Sequence, residues 1–595
     1  MKKKKKFVTK FIKWRYKYIS HNLFVNTASA IIGLLAGLGA VVLKNLTHLI
    51  QRMLEGEFIK EIHHTFYFIF PIIGLFLVLI FIRFILKKDI GHGIPSTLYA
   101  ISKLKGLMPK HQMWASLVTA PLTVGFGGSV GLEGPTVATG SALGSNFARL
   151  LHLNQTTRTL LIGAAAAGAM SSIFKAPIAA IVFAVEIFSL DLTLASMVPL
   201  LLASITAILT SYFFLGDDVL LHFQLQDRFE LNDLFFFIVL GITSATTSIY
   251  FNKVYFYISD FFEKLGSPLK RLLIGGVMIG IIVYFLPPLF GEGYEVINNL
   301  LKDNYEGVLS MNYFHIPAST FINILVFLVL LVTFKVIAMS ITFGAGGIGG
   351  VFAPTLFTGS ISGYVLATII NFSGISNHHI STSNFALVGM AGMMAGVLQA
   401  PLTAIFLIAE ITGGYELFVP LMIVSSISFI ITKKYIPYNI YASELAKKGE
   451  LITHDKDQTV LALMDFNKII ETNFIPVKPD MKLGKMLKKA VVKSQRNIYP
   501  VVDKENNFLG IVLLDDIRHV MFDKKMYKST FVRNYMHSAP EVINFEKDNM
   551  KVVMRKFQDS SAWNLPVLKD GKYYGFISKS KLLTAYRRKL IQVSS

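Results

Sequence analysis

Long apolar runs constrain the fold of this chain more than any other feature of its sequence. A helix needs about 20 residues to cross the hydrocarbon core of a bilayer. Clear runs close to that length are Ala28–Leu49, Tyr67–Leu86, Ala195–Leu215, Leu272–Leu289 and Phe321–Ser340. Charged residues make up only 16% of the chain, against about a quarter in soluble domains. We therefore predict an all-α polytopic protein that lies in a lipid bilayer.

Positive charge is concentrated at the two ends of the apolar block. The formal net charge is +21, and five lysines follow Met1 directly. Because the cytoplasmic flanks of membrane helices carry an excess of Lys and Arg, we predict that both termini are cytoplasmic and that the protein lies in the cell (inner) membrane. This placement of the charge argues against nucleic acid as a partner. The chain has no cysteine, which excludes disulfides and thiolate metal sites.

Composition divides the chain into three segments. Residues 1–20 form a basic segment that we expect on the surface of anionic lipid. Residues 21–445 are apolar and rich in glycine, and they form the predicted transmembrane domain. From residue 446 to 595 charge rises and short strands alternate with amphipathic helices. This last segment is predicted to be a soluble α/β domain.

The membrane segment contains an internal repeat. Ala-Pro opens an apolar helix at Pro177 and again at Pro401, and a glutamate follows nine residues later in both, Glu186 and Glu410. A second motif, GLEGPT from residue 131, is matched by GVFAPT from residue 350, with further glycines at equivalent places. The offsets of the two motifs, 224 and 219 residues, nearly agree. Two motifs that keep their order and separation indicate a duplicated membrane unit.

Prolines of this repeat predict interrupted helices. Proline favours the first turn of a helix, so helix N-termini are expected at Pro135, Pro177, Pro354 and Pro401. A helix N-terminus offers unpaired N–H groups and the positive end of the helix dipole. Interrupted helices at matching positions of two halves indicate a substrate site near the bilayer midplane. We predict that the four N-termini converge on a small desolvated anion.

The pore motifs resemble those of the CLC family of chloride channels and chloride/proton antiporters. GHGIP from residue 91, GLEGP from residue 131 and GVFAP from residue 350 are similar to the three pore motifs of the family, and Tyr441 falls at the place of its pore tyrosine. The tail resembles a pair of CBS modules. The resemblance implies the CLC fold with inverted repeats, a homodimer with one anion pathway per subunit, chloride as bound ligand and no required cofactor.

The resemblance also assigns roles to individual residues. The amides of Val351 and Phe352 and the hydroxyl of Tyr441 would coordinate a central anion, and the amides around Glu133 would frame an outer site. The full set of implied anion-binding positions is His92, Gly93, Leu132, Gly134, Val351, Phe352, Ala353 and Tyr441. A histidine at 92 replaces the family's serine, which leaves anion selectivity and acid sensitivity open. A leucine at 132 replaces a basic residue and predicts weaker attraction of anions at the mouth.

Glu133 is the predicted gate. A carboxylate at membrane depth costs about 2.5–3.5 kcal/mol on insertion scales, so such residues are usually functional. At a helix N-terminus the carboxylate competes with an anion for the same donors, blocking the path when ionised and leaving it when protonated. The second repeat has Phe352 at the equivalent position, so the duplicated scaffold does not itself require an acid there.

The family's internal proton-relay glutamate falls at Ile187 in this chain. Isoleucine cannot carry a proton, which favours an uncoupled, acid- or voltage-gated channel over a chloride/proton antiporter, although the neighbouring Glu186 or water could substitute. The matched positions of Glu186 and Glu410 suggest a shared structural role. A more distant alternative is an anion-sensing receptor with little flux. An enzyme is not expected, because the membrane segment has no nucleophile–base or metal cluster.

Two similar units follow one another in the tail, each with the pattern strand, turn, strand, helix. In CBS modules that bind adenine nucleotides, a hydroxyl residue follows the second strand and an aspartate comes three positions later. The first unit has Asp516 but Leu513 in the hydroxyl position, and the second has Ser578 but Lys581 in the acid position. Neither set is complete. A structural or dimer-stabilising tail is expected, with adenine nucleotide binding as the alternative.

Overall fold

A computed structural model describes most of the chain. The described residues are 14–15, 17–54, 63–91, 93–190, 193–216, 229–311, 321–447, 461, 464 and 466–594. They belong to two units, Met1–Leu451 and Ile452–Ser595. Most of the basic segment 1–20 lies outside the described residues, so its predicted position on the lipid surface stays a prediction.

Helices build the described part of the first unit. In chain order they are α1 His21–Leu54, α2 His63–Ile80, α3 Gly93–Ser102, α4 Ala115–Gly125, α5 Glu133–Leu150, α6 Gln155–Phe174, α7 Pro177–Phe188, α8 Leu194–Leu215, α9 Leu234–Lys264, α10 Pro268–Phe285, α11 Tyr294–Leu301, α12 Tyr305–Ser310, α13 Phe321–Gly344, α14 Phe352–Ser373, α15 Thr382–Val397, α16 Pro401–Ile411, α17 Phe418–Tyr435 and α18 Ile440–Lys447. Within the described ranges, nine helical segments are long and apolar enough to cross a membrane. The predicted polytopic all-α membrane domain is confirmed.

One predicted run ends earlier than its hydrophobicity suggested. The run Leu272–Leu289 corresponds to α10, which ends at Phe285. Pro287 and Pro288 follow in a short 3-10 turn. Proline lacks the N–H group that would continue the helix, and it disfavours helical backbone in the residue before it. Apolar composition alone therefore does not predict where α10 ends.

The glycines that recur in the two repeats are points where helices touch backbone to backbone. A methyl group on Gly144 of α5 would lie 2.4 Å from the carbonyl oxygen of Leu161 in α6. Its equivalent on Gly363 of α14 would lie 1.9 Å from the carbonyl oxygen of Phe385 in α15. Small residues permit this close approach between membrane helices. The repeated glycines are therefore required by helix packing.

Equivalent residues of the two repeats bind each other directly. The N–H of Gly131 donates to the carbonyl oxygen of Gly350 at 2.9 Å, and the N–H of Gly350 donates back at 2.7 Å. Two backbone N–H groups donate to threonine hydroxyls across the repeats in the same reciprocal way: Ile348 to Thr123 at 3.0 Å, and Ser129 to Thr342 at 3.3 Å. Reciprocal contacts between equivalent residues are produced by a two-fold axis. The two repeats are therefore related by an approximate two-fold axis.

The glutamates after the two Ala-Pro motifs cap each other's helices. Glu410 at the end of α16 accepts the N–H groups of Ile178 and Ala179 in the first turn of α7, at 3.0 and 2.7 Å. Glu186 near the end of α7 accepts the N–H and the hydroxyl of Thr403 in the first turn of α16, at 2.8 and 2.6 Å. The shared structural role predicted for these two glutamates is confirmed.

This exchange corrects the prediction that four helix N-termini face the anion. The first turns of α7 and α16, which begin at Pro177 and Pro401, are occupied by carboxylates of the protein itself. A helix N-terminus is stabilised by the acceptor that packing brings to it. Only the termini that begin at Glu133 and Phe352 remain as candidates from the original four.

The second unit contains both predicted hairpins. Strand β1 Ile498–Val502 pairs antiparallel with β2 Phe508–Leu513. Strand β3 Ile543–Asn544 pairs parallel with β4 Asn564–Lys569, which pairs antiparallel with β5 Lys572–Ser578. The α-helices in the described part of this unit are α19 Leu483–Met486, α20 Leu514–Ile517, α21 Met526–Ser529, α22 Met550–Ser560 and α23 Lys579–Ser594.

Turn residues fix the two hairpins. Asp570 and Gly571 join β4 to β5 with φ angles of 50° and 76°. Two successive positive φ values are typical of the type I′ turn that Asp-Gly favours. In the first hairpin Asp503 accepts the side chain and backbone N–H groups of Asn507 at 2.7 and 2.8 Å. These hydrogen bonds hold the pKa of the Asp503 carboxyl below its ordinary value.

The cap from Glu410 yields a stability prediction. Replacing Glu410 by alanine leaves the N–H groups of Ile178 and Ala179 without the carboxylate that binds them. We expect a loss of about 1–3 kcal/mol, the usual cost of an unsatisfied buried donor. A lower thermal unfolding midpoint of the purified protein in detergent checks this. Glu263→Ala, which removes an exposed carboxylate, is the control, and equal midpoints for the two variants would contradict the prediction.

Candidate anion site and gate

Four of the predicted anion-binding residues line one cavity. Gly93 at the start of α3, Gly134 in the first turn of α5, Val351 directly before α14 and Tyr441 in α18 surround a small cavity. The Tyr441 side chain is buried, and its hydroxyl has no hydrogen-bond partner among the described residues. His92 lies outside the described residues, so its part in the site stays a prediction.

Phe352 and Ala353 open α14 at this cavity. Both are buried. The Phe352 ring packs against Phe174 and Phe183, with ring centroids 5.0 and 6.5 Å apart. The aromatic side chain therefore belongs to the packing around the site. What these positions offer an anion is the set of backbone amides at the start of α14.

Glycine permits the starts of α5 and α14 to approach each other. A methyl group on Gly134 would lie 3.0 Å from the Cα atom of Gly350, and one on Gly350 would lie 2.8 Å from the nitrogen of Gly134. Any larger residue at either position would push the two helix starts apart. The close approach places two positive dipole ends side by side, which favours one shared negative charge.

The side chain of Glu133 supplies that charge in this structure. Glu133 is 1% exposed, and its carboxylate folds back over Gly131, where a methyl group would lie 2.0 Å from Oε2. The backbone N–H groups of Glu133 itself and of Ala353 lie close to the carboxylate and interact with it electrostatically. Oε1 accepts a hydrogen bond from the Tyr294 hydroxyl, whereas Oε2 has no hydrogen-bond partner among the described residues. The Glu133 carboxylate therefore lies at the paired starts of α5 and α14 with one of its two oxygens unpaired among the described residues.

The amide of Leu132 is already bound by the protein. Its N–H donates to Oε1 of Glu292 at 3.0 Å. The predicted use of the Leu132 amide as an anion donor is therefore wrong for this conformation, because a second carboxylate holds it. Sequence reasoning missed Glu292, which follows a glycine in the loop before α11 and carries no periodic pattern.

A buried lysine balances the negative charges of this region. Lys335 is 0% exposed in the middle of α13, and its ammonium donates to the carbonyl oxygen of Gly291 at 2.8 Å. The Lys335 ammonium attracts the carboxylates of Glu133 and Glu292 electrostatically. Lys335 is thus a buried basic residue close to both Glu133 and Glu292. It was also missed, although a single charge inside an apolar span signals function.

Position 187 offers no proton carrier. Ile187 is 2% exposed in α7. The neighbouring Glu186 uses both carboxylate oxygens to cap α16, binding the N–H of Leu402 at 3.1 Å and that of Thr403 at 2.8 Å. A carboxylate engaged by several donors at a helix N-terminus is held in place. Glu186 is therefore poorly suited to replace the missing acid.

The tail residues considered for nucleotide binding are engaged inside their own modules. Asp516 accepts the N–H of Leu513 at 2.7 Å and lies 3.0 Å from Nε2 of His537. The hydroxyl of Ser578 accepts the N–H of Lys581 at 3.3 Å. Both side chains cap the helix that follows their strand. These contacts account for the two residues without a ligand.

Comparisons with known proteins agree with this arrangement. Residues 73–433 match the family model described as voltage gated chloride channel, and residues 466–523 match the CBS domain model. The H(+)/Cl(-) exchange transporter ClcA of Vibrio cholerae is 27% identical over 414 residues, which cover 67% of this chain and 84% of the relative. The transporter of the same name from Salmonella arizonae is 26% identical over 415 residues, covering 66% and 82%.

Solved structures show the same fold. A slow cyanobacterial Cl-/H+ antiporter superposes with a TM-score of 0.60 at 23% identity and covers 71% of this chain and 97% of its own. A eukaryotic CLC transporter superposes with a TM-score of 0.59 at 16% identity, covering 94% and 97%. The fold and the paired helix starts define a membrane protein for the transport of small anions. The chain belongs to the voltage-gated chloride channel (CLC) family and carries a CBS domain in its tail.

The hydrogen bond from Tyr294 to the gate leads to a prediction. Tyr294→Phe removes one donor from the Glu133 carboxylate, and a hydrogen bond to a charged group contributes about 1.5–3 kcal/mol. The Glu133 carboxylate is then bound less strongly at the helix starts and competes less well with chloride. We therefore expect chloride flux at neutral pH to rise about tenfold. Chloride efflux from proteoliposomes measures it. Tyr415→Phe, at an exposed tyrosine, is the control, and unchanged flux in Tyr294→Phe would contradict the prediction.

Proposed function

We propose that the protein transports chloride through one pathway in each subunit and that Glu133 gates this pathway. The observation that carries the proposal is the buried carboxylate of Glu133 at the facing starts of α5 and α14, with Oε2 unpaired among the described residues. Gly134, which follows Glu133 directly, lines a cavity together with Val351 and Tyr441. An anion in this cavity meets amide and hydroxyl donors without a full positive charge.

The gate works by competition for these donors. Removing an ion from water is costly, and converging N–H groups offset much of that cost. The ionised carboxylate of Glu133 takes the donors that chloride needs and blocks the path. Protonation removes its charge, so the neutral side chain no longer competes and chloride replaces it. Lys335 favours a negative charge at this place whether the carboxylate or chloride provides it.

We favour an uncoupled channel over an antiporter. The apolar Ile187 and the engaged Glu186 leave the family's internal proton position without a free acid. The alternative is chloride/proton antiport, and the names of the curated relatives favour it. An anion-sensing receptor with little flux is a third and more distant candidate.

We further propose a homodimer in the cell (inner) membrane with both termini in the cytoplasm. The basic residues that flank the apolar block support this orientation, and the dimer follows from the family resemblance. Chloride is the bound ligand, and no other cofactor is needed. The caps formed by Asp516 and Ser578 support a structural tail rather than one that binds an adenine nucleotide.

Glu133→Gln tests the gate. The amide cannot ionise, so the side chain loses the charge that competes with chloride. We expect high flux at neutral pH and loss of most of the pH dependence, measured as chloride efflux from proteoliposomes over a series of external pH values. Glu295→Gln, which changes an exposed carboxylate in α11, is the control. A Glu133→Gln protein with the pH dependence of the unmodified protein would remove Glu133 from the gate.

The reversal potential distinguishes channel from antiporter. Proteoliposomes with a chloride gradient and an opposing pH gradient are clamped at a series of potentials. A channel gives zero net flux at the chloride equilibrium potential, and we expect that result. Displacement of the reversal potential by the pH gradient would establish proton coupling and reject the channel. No measurable flux at any potential would favour the receptor.

A further inference from the structure

The cavity that Gly134, Val351 and Tyr441 line has a carboxylate in its wall that the proposed gate at Glu133 does not use. Among the described residues that line it, Glu444 alone is acidic. Glu444 lies three positions after Tyr441 on α18, so both side chains are on the same face of the helix. Its side chain is partly buried. Glu444 lies on the C-terminal side of Tyr441 along α18.

A tyrosine from another helix holds this carboxylate at the cavity. The hydroxyl of Tyr255 in α9 donates a hydrogen bond to Oε1 of Glu444, and Tyr255 also lines the cavity. The charge of Glu444 acts on Tyr441, and so does the charge of Glu133. Two carboxylates, those of Glu133 and Glu444, therefore lie near enough to Tyr441 to act electrostatically on an anion at its hydroxyl.

Within the described ranges, few charged or titratable residues lie near Glu444. Tyr255 faces it from α9, and Tyr441 lies beside it on its own helix. Helix α3 packs against α18, and in its described range the one titratable residue is Tyr99. No lysine or arginine lines the cavity in the part of the chain that the structure describes. The described wall of the cavity therefore holds no cation that would compensate an ionised Glu444.

We propose that Glu444 is a second gate, on the tail side of the anion pathway, which protons from that side open. When ionised and held by Tyr255, the carboxylate repels chloride from the cavity. Protonation removes its charge, and chloride then reaches Tyr441. The proton returns to the solution on the side from which it came, so no proton crosses the membrane. The proposal rests on the proposed function, since it requires that chloride passes through this cavity.

Sided pH control tests the second gate. Chloride current is recorded from membrane patches that contain the full chain, and the tail side is identified by protease access to the tail. We expect acidification of the tail side to raise the current at fixed pH on the other side. In Glu444→Gln the current at neutral pH should be on the order of tenfold higher and no longer respond to tail-side pH. Its response to pH on the other side, which Glu133 provides, should remain.

Two further variants keep the test decisive. Tyr255→Phe removes the hydrogen bond to Glu444 and should shift the tail-side pH response. Matched controls are Tyr250→Phe, whose hydroxyl donates to the carbonyl oxygen of Thr333 away from the cavity, and Glu263→Gln. If Glu444→Gln does not fold, Tyr255→Phe with an unchanged tail-side response overturns the proposal.

The outcomes separate this inference from the proposed function. A tail-side pH response that Glu444→Gln retains would overturn the second gate while chloride transport stands. A reversal potential that pH displaces in the unmodified protein and that Glu444→Gln restores to the chloride value would show that Glu444 passes protons across, and it would overturn a gate without coupling. Absence of chloride current in the unmodified protein would reject the proposed function itself.

Discussion

The reciprocal backbone hydrogen bonds between Gly131 and Gly350 are the contact on which the candidate site depends. They join the equivalent loops of the two repeats, so the helices that begin at Glu133 and Phe352 start beside each other. Because the two loops are equivalent and related by the two-fold axis, backbone N–H groups from both repeats lie around one point. The pair of side chains breaks this symmetry, because one repeat provides a carboxylate and the other a packed aromatic ring. The fold therefore brings a single carboxylate, that of Glu133, to a point that has backbone donors from both repeats.

Helix N-termini serve two different purposes in this fold, and the acceptor that each one meets decides which. The starts of α7 and α16 meet Glu410 and Glu186, which packing fixes in place, so these termini stabilise the contact between repeats. The starts of α5 and α14 meet Glu133, which retains an unpaired oxygen among the described residues. All four helix starts present the positive end of a helix dipole and carry a proline in the first turn, as the first residue of α7 and α16 and as the third residue of α5 and α14. The hydrogen bonds of the facing carboxylate therefore distinguish the two pairs of helix starts.

The sequence predicted the secondary-structure elements better than the contacts between distant elements. Membrane runs, the repeat and both tail hairpins follow from local composition and from turn chemistry such as Asp570–Gly571. The convergence of four helix starts was wrong, because proline spacing carries no information about which acceptor lies opposite. Glu292 was missed because its loop has no periodicity, whereas Lys335 could have been found as the one charge in α13. Contacts between residues 160 or more positions apart have no local signature in the chain.

The sequence by itself determined that this chain spans a membrane, that its membrane part is duplicated, that family pore motifs recur in order, and that one repeat carries Glu133 where the other has Phe352. These features depend on residue type and spacing along the chain. The tertiary structure decided which termini face the cavity, that Glu292 holds the amide of Leu132, and that Glu444 lies beside Tyr441 at the cavity. Such facts depend on the packing of distant segments, since a buried donor binds whichever acceptor the fold brings within reach.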